Sequence, residues 1–337
     1  MDSSQLERLA RDSFGLLPTA PIVEMSAGNI NRSVVVETAD GAFVLQDLNV
    51  GIFPDATALM ENTERIIERM AEHNLLALSF VRTVDGAWLA QQDGITWRCY
   101  RYVDGSATPT ITTPEDAQST ARAFGRYARA IDGLELTEHL VGYHDFDARV
   151  AAFEAEVSTD GLGRAAECDS IIEELVTLID RLRLSSGYEA WREVPTRNAH
   201  NDAKGPNCII GPTGARTIID LDTSMPGTVL SDIGEMVRSS TRSLGDVSPA
   251  TYMAQIEAVN RGFLAGYGAD LTKAERDAML LCGPLMAIEN SVRFLADHLS
   301  GDKYYGASSP DQNLNRATAQ LELGKQLISA IEWATTG

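Results

Sequence analysis

Basic residues are scarce in this chain. Lys and Arg number 28 against 48 Asp and Glu, a formal net charge of −20. A surface of that sign repels nucleic-acid phosphates and anionic membrane faces, so neither is expected as a partner. No apolar run reaches 18 residues, which argues against a membrane-spanning helix. The N-terminus has no positively charged start leading into an apolar stretch, so a cytoplasmic protein is expected. Cysteine is sparse too. Cys99, Cys168, Cys208 and Cys282 are scattered, with no C-x-x-C pair, and read as buried free thiols. The five histidines, His73, His139, His144, His200 and His298, lack metal-ligand spacing. Internal repeats and low-complexity linkers are absent. What remains is 337 residues, 44% hydrophobic and 23% charged, an ordinary globular composition with room for two domains or lobes.

Chemistry concentrates in one stretch. His200-Asn201-Asp202-Ala203-Lys204-Gly205-Pro206-Asn207 reads His-x-Asp-x4-Asn, and Ile218-Ile219-Asp220-Leu221-Asp222 closes an apolar run shortly after. That order is the phosphoryl-transfer arrangement of kinase-like folds. A loose phosphoryl-transfer transition state spreads negative charge over the γ-phosphate oxygens, so it needs positioning and cations more than covalent chemistry. Asp202 is the candidate base for an acceptor hydroxyl. Asn207 and Asp220 are candidate ligands for Mg²⁺, a hard cation that prefers oxygen donors. Lys204 is placed to reach the transferring phosphate. Gly205-Pro206 makes a turn between base and amide. The alternative is a surface loop with a chance Asp and Asn; the acidic pair at the expected distance and side argues against it.

Around this stretch the chain divides in two. Residues 1–17 suggest a short helix packed through Leu6, Leu9, Phe14 and Leu17, ended by Pro18. Residues 32–38 and 43–48 flank Asp40-Gly41 as a hairpin, preceded by Ser26–Asn31, a candidate phosphate-covering loop. Gly28 could equally be a plain turn glycine. A periodic helix follows over 55–73, then strands over 79–84, 87–91 and 95–103, about five short antiparallel strands with one helix. From there helices dominate: 114–131 with Thr113 as N-cap, 145–157, 167–184, 231–240 beginning at Ser231-Asp232, 249–266, 271–298 interrupted at Gly283-Pro284, and 312–334. Short strands at 207–211 and 216–221 carry the catalytic loop and the acidic pair. The expected architecture is therefore α+β and bilobal: an N-terminal lobe over 1–103, with an antiparallel sheet plus helix, and a mainly helical C-terminal lobe over 104–337.

These motifs together resemble the aminoglycoside-phosphotransferase/choline-kinase superfamily of small-molecule kinases, and within it the bacterial N-acetylhexosamine 1-kinases. The resemblance runs nearly end to end, through Gly28-Asn29-Ile30-Asn31, Phe43-Val44-Leu45-Gln46, Ile52-Phe53-Pro54, Leu59-Met60, Leu162–Ala166, His200-Asn201-Asp202, Ile219–Thr223, Met225-Pro226-Gly227, Asp232-Ile233-Gly234, Arg238 and Arg293–Asp297. It implies a protein-kinase-like fold with ATP and Mg²⁺ in a cleft between the lobes. It implies Asp202 as base, Asn207 and Asp220 as metal ligands, and Asp222 as a supporting acid at the metal. Gly28, Asn29, Asn31 and Gln46 would line the phosphate end of the nucleotide. Tyr100, Tyr102 and Val103 would lie along the adenine. The sugar would sit beside Asp202, with Asn29, Arg293 and Tyr305 in its pocket.

For Arg293 the competing reading is a helix ion pair to Asp297, and for Tyr304 and Tyr305 plain packing. His144-Asp145 echoes a family pair and is expected at the surface. Two departures stand out. Gln46 occupies the position of the phosphate-binding lysine of protein kinases, so no Lys–Glu pair with Glu61 or Glu64 is available. Asn29 replaces a family histidine.

The leading expectation is a monomeric kinase of carbohydrate metabolism acting on the anomeric hydroxyl of an N-acetylhexosamine. The alternatives are a kinase for another amino sugar or an aminoglycoside-like acceptor, and a nucleotide-binding pseudokinase, raised by Gln46 and opposed by intact Asp202, Asn207 and Asp220.

Overall fold

A computed structural model describes residues 1–25, 31–107 and 110–336. It divides into two compact units. The first comprises Met1–Ser106, Leu134–Leu140 and Ile209–Asp222, and the second Ala107–Gly133, Val141–Cys208 and Thr223–Gly337.

The chain opens with helix α1 (Ser3–Arg8), whose N-terminus is closed by a reciprocal pair: Asp2 accepts from Gln5 N–H and the Gln5 side chain accepts from Asp2 N–H. Leu6, Leu9 and Phe14 are buried as expected, but Leu17 is 65% exposed. The helical turns end at Ser13, and by residue 18 the chain bridges Thr38 as an edge extension, which turns Leu17 outward. Strands β1 (Val23–Glu24), β2 (Arg32–Thr38) and β3 (Gly41–Asp47) are antiparallel neighbours, with Gly41 supplying the positive φ of +116° at the hairpin turn. Helix α2 (Ala56–Glu72) follows, capped by Asp55, with Ala58, Leu59, Ile66 and Met70 buried. Then come β4 (Phe80–Val81), β5 (Ala90–Gln92), β6 (Ile95–Arg101) and β7 (Ser106–Ala107). Strands β1 to β6 make a six-stranded antiparallel sheet in the order β1-β2-β3-β6-β4, with β5 also on β6. Its core face packs Leu6, Leu9, Val34, Val36, Leu45 and Trp97.

Helices α3 (Pro114–Ile131), α4 (Phe146–Thr159), α5 (Asp169–Arg183) and α6 (Ser186–Trp191) begin the second unit, and Thr113 caps α3 over Pro114 as expected. Strand β8 (Arg197–Ala199) leads into the loop of residues 200–207. Strands β9 (Cys208–Ile210) and β10 (Arg216–Ile218) then form a small sheet with β7, and β11 (Met225–Gly227) pairs with β8. Helices α7 (Val229–Arg242), α8 (Pro249–Tyr267), α9 (Lys273–Ala278), α10 (Cys282–Leu299) and α11 (Gln312–Thr336) complete the chain. Helices α4, α5, α10 and α11 share one apolar core around Phe153, Leu175, Ile288 and Leu321. All four cysteines are buried and free. The mixed α+β expectation holds.

Two helix starts differ from the sequence reading. Helix α7 starts at Val229 under a Thr228 cap, which puts Ser231 and Asp232 inside the buried first turns and frees their side chains for other work. The break before α10 falls at 279–281, not at Gly283-Pro284. Pro284 sits in the first turn of α10, where its missing N–H needs no intrahelical acceptor.

Helices α3 and α8 approach backbone to backbone through glycine. A Cβ on Gly262 would lie 2.1 Å from Gln118 O, one on Gly125 2.2 Å from Phe263 O, and one on Gly266 2.2 Å from Arg122 O. None can be added without separating the helices. Gly262→Ala is therefore expected to cost at least ~1–3 kcal/mol, the usual range for overpacking. Urea unfolding would register this as a lowered midpoint with an unchanged slope. An unchanged midpoint would mean that the two helices part freely.

Candidate active site

The loop of residues 200–207 is fixed from beneath by one carboxylate. Asp232, fully buried in the first turns of α7, accepts the backbone N–H of His200 at 3.0 Å and of Asn201 at 2.8 Å. Burial raises its pKa, with the nearby His200 and the two N–H bonds acting in the opposite sense. Asn201 adopts a left-handed φ of +61°, unusual for a residue with a side chain. Its side chain holds that turn: Nδ2 donates to Thr223 O at 3.0 Å, and Oδ1 accepts from the Ser231 hydroxyl at 3.0 Å. The Thr223 hydroxyl donates to His200 O at 2.7 Å. His200 itself is buried edge-on to Phe124 and Tyr127.

The turn presents Asp202. Lys204 Nζ lies 2.6 Å from Asp202 Oδ2. Asn207 Nδ2 donates to Asp202 O at 2.8 Å and to Oδ2 at 2.9 Å, so the atom that Asn207 can offer a cation is its amide oxygen. These three side chains, selected from spacing alone, are brought together.

His144 departs from its expected surface position. Its side chain is only 9% exposed. Nδ1 lies 2.7 Å from Glu289 Oε1 and Nε2 2.9 Å from Asn201 O. A ring protonated on both nitrogens meets two acceptors here, the Glu289 carboxylate and the Asn201 carbonyl. Burial opposes that charge, but Glu289 outweighs it and the pKa of His144 is raised. Burial likewise opposes ionised Glu289, and His144 with Arg293 brings its pKa down. Asp145, by contrast, is exposed and caps α4. The ion pair considered between Arg293 and Asp297 is not formed. Asp297 accepts the N–H groups of Tyr304 and Tyr305 and the Asn313 amide, while Arg293 faces back toward Glu289 at 3.8 Å. The Arg293 guanidinium lies over Tyr143 (5.1 Å) and Tyr305 (5.5 Å), which joins two expected pocket residues to one the sequence did not single out. Asp202 acts electrostatically on both Tyr143 and Arg238, and Arg238 pairs with Glu235.

The remaining expected residues lie in the first unit, apart from two. Gly28 and Asn29 fall outside the described residues. Asp220 takes a left-handed φ of +60°. Gln46 stands opposite Arg98 across the β3–β6 ladder and opposite Ser33 across β2–β3. Its amide donates to the Ser33 hydroxyl at 3.0 Å and its Oε1 accepts from Arg98 Nε at 2.9 Å. Asn31 donates to Asp222 Oδ2 at 2.9 Å. In the adenine segment, the N–H groups of Arg101 and Tyr102 are engaged by Ser79 O and Ala42 O. Tyr100 stacks obliquely on Phe80, and burial pushes its phenol up to about 12.

No cluster of three or more His, Cys, Asp and Glu side chains able to hold a metal occurs among the described residues. The Asn207 amide oxygen and the Asp220 carboxylate are, each by itself, hard oxygen donors of the kind Mg²⁺ takes beside waters and phosphate oxygens.

Solved structures of several small-molecule phosphotransferases share this fold. Spectinomycin phosphotransferase, in complex with ADP and spectinomycin, matches with a TM-score of 0.64 and 11% identity, over 98% of each chain. An aminoglycoside phosphotransferase from Alicyclobacillus acidocaldarius matches at 0.65 and 16%, over 92% of this chain and 91% of that one. A microcompartment-associated aminopropanol kinase matches at 0.63 and 13%, over 97% and 98%. The fold is thus that of the kinase-like phosphotransferases. Residues 21–279 match the model of the phosphotransferase enzyme family known as APH, and the chain belongs to that family. It is an enzyme, an ATP-dependent kinase of small molecules acting on a hydroxyl, and ATP and Mg²⁺ are typical of the family.

The residues that spacing did not reveal are His144, Glu289, Tyr143 and Arg98. Glu289 and Arg98 lie on buried faces, where a lone charged residue is the only sequence signal.

The His144–Glu289 pair sets a pH window. A raised His pKa gives stability that is complete below the ordinary value of 6.5 and is lost as pH climbs through the folded value. A lowered Glu pKa gives stability present above 4.5 and lost below. The groups facing His144 are Glu289 and Arg293 on α10, the Asn201 carbonyl, the Tyr143 ring and, more distantly, Asp232. Compared with a His144→Gln/Glu289→Gln double variant, the wild type is expected to hold its largest advantage between about pH 4.5 and 6.5. As pH rises further that advantage shrinks, by at most about 1.4 kcal/mol per pH unit. Melting both proteins across pH checks this; a flat difference would mean that the pair is not ionised.

Proposed function

We propose that this chain is an ATP- and Mg²⁺-dependent sugar kinase that phosphorylates the anomeric hydroxyl of an N-acetylhexosamine, GlcNAc or GalNAc, giving the sugar 1-phosphate. The observation that supports this acceptor is Arg293 over the rings of Tyr143 and Tyr305, on the unit that carries Asp202. A planar donor beside aromatic faces suits a neutral ring bearing hydroxyls and an amide: the apolar face packs on tyrosine, and the oxygens meet the guanidinium. The carboxylates of this region are already engaged. Glu235 pairs with Arg238, Glu289 with His144, and Asp297 with backbone N–H groups. A polycationic acceptor would have to compete with those partners.

In this reading Asp202 takes the proton of the attacking hydroxyl. An anomeric hydroxyl is more acidic than an ordinary alcohol, so a carboxylate serves as base. Lys204, already against Asp202, meets charge on the transferring phosphoryl group. Asn207 and Asp220 would hold Mg²⁺, which supplies neutralisation of the phosphate oxygens when bound. Gly28, Asn29, Asn31 and Gln46 are read as the phosphate end of the nucleotide site, Tyr100, Tyr102 and Val103 as its adenine wall, and Asn29 as a further acceptor contact. Residues 1–103 and 104–337 act as its two lobes, in a monomer. A second reading, a kinase for another amino sugar or an aminoglycoside-like acceptor, draws on the spectinomycin and aminoglycoside phosphotransferases that share the fold.

The test is ADP release from Mg²⁺-ATP over GlcNAc, GalNAc, glucosamine, galactosamine, glucose and an aminoglycoside, with ³¹P NMR of the product. The expected product shows phosphorus coupled to the anomeric proton of an N-acetylated sugar. Phosphate on another hydroxyl of free glucosamine would overturn the acceptor while keeping the kinase. Asp202→Asn is expected to lower kcat at least ~100-fold; near wild-type turnover would remove Asp202 as base.

A further inference from the structure

Asp222 is a candidate metal ligand by sequence, but its surroundings describe a different task. The Arg98 guanidinium grips it in a fork, Nη1 to Oδ1 at 2.6 Å and Nη2 to Oδ2 at 2.8 Å, and both side chains are 4% exposed. Asn31 Nδ2 donates to the same Oδ2, and His139 Nε2 lies 2.7 Å from the Asp222 carbonyl oxygen. Arg98 in turn gives Nε and Nη2 to Gln46 Oε1 (2.9 and 2.5 Å) and turns Nη1 toward Met60 Sδ. Every guanidinium nitrogen is therefore engaged within the protein. His139 also meets Asn62 of α2, whose amide donates to Thr137 O and accepts from Thr137 N–H. Strand β3, strand β6, helix α2 and Asn31 thus converge on Asp222, two residues beyond Asp220 with its left-handed backbone.

We propose that Arg98 and Asp222 are positioning residues: their buried pair replaces the lysine–glutamate pair excluded by Gln46, and it sets Asp220 for the metal without either residue binding the cation. The proposal rests on the reading of Asp220 as a metal ligand. A cation at Asp222 would have to displace a bidentate guanidinium from a desolvated carboxylate and leave Arg98 charged and unpaired, which is costly. Held as it is, the pair braces a strained turn from its C-terminal side, as the groups that orient a ligand do at other metal centres.

The experiment is a Mn²⁺ titration followed by EPR, on the full-length protein with a non-hydrolysable ATP analogue, with thermal melts on each variant. Arg98→Lys keeps the charge but loses the fork, and Asp222→Asn keeps the shape but loses the charge. Each is expected to weaken Mn²⁺ about 10–100-fold with unchanged stoichiometry. The double variant is expected to be no worse than either single, because the two act through each other. Asp220→Asn, the control, should lose a bound Mn²⁺ outright. If Asp222→Asn lowers the stoichiometry while Arg98→Lys leaves affinity unchanged, Asp222 is a ligand and the proposal fails. If Asp220→Asn keeps full stoichiometry and affinity, the metal reading itself fails instead. Should either single variant not fold, Arg98→Met/Asp222→Leu removes both charges and carries the same comparison: weakened binding at unchanged stoichiometry supports the brace, and unchanged affinity overturns it.

Discussion

One buried carboxylate, Asp232, receives the backbone N–H groups of two consecutive residues, and the geometry of the 200–207 loop hangs from it. A carboxylate without exposure is costly unless hydrogen bonds replace its water. Here the replacements are the amides of His200 and Asn201, so the acid and the loop depend on each other. The left-handed turn at Asn201 follows, because that residue must give its N–H to α7 while its side chain ties down Thr223 O. Asp202 then emerges at the one place where Lys204 and Asn207 can both reach it. Moving the start of α7 by a residue would rotate Asp232 away from both amides.

Several buried charge pairs repeat the same logic within each unit. Arg98–Asp222, Arg238–Glu235 and His144–Glu289 are all nearly dry. Such pairs seldom out-stabilise apolar residues of the same size, since desolvation offsets much of the attraction. What they supply is orientation: a fork fixes a carboxylate in a plane, and an imidazolium between two acceptors has one setting. The chain is strongly acidic as a whole, yet its buried acids are matched individually, so the bulk charge says little about the site.

Much of this is legible without coordinates. The His-x-Asp-x4-Asn spacing singles out Asp202, Lys204 and Asn207, and these three side chains do meet. Alternation and the Asp40-Gly41 turn locate the hairpin, and helical periodicity most of the helices. The failures share one cause. His144, Glu289 and Arg98 acquire their meaning from residues 57, 145 and 124 positions away, and a polar residue whose partner is that distant looks like any exposed one. The start of α7 is misplaced for the same reason. Ser231-Asp232 has the composition of a cap, but a tertiary demand on Asp232 leaves the capping to Thr228. The break at α10 is misplaced at Pro284 because a proline commonly signals an end; in the first helical turn it signals a beginning.

Helices α3 and α8 carry a quieter consequence. Their seam has peptide groups where most helix pairs have a layer of side chains, so it has almost nothing to vary. A drifting lineage could exchange side chains where Arg293 lies over Tyr143 and Tyr305, because side chains make that contact. Across the glycine seam nearly every exchange adds atoms where none fit. The second unit is therefore partitioned for evolution, with a keel that tolerates little novelty and a working side where novelty can be tried.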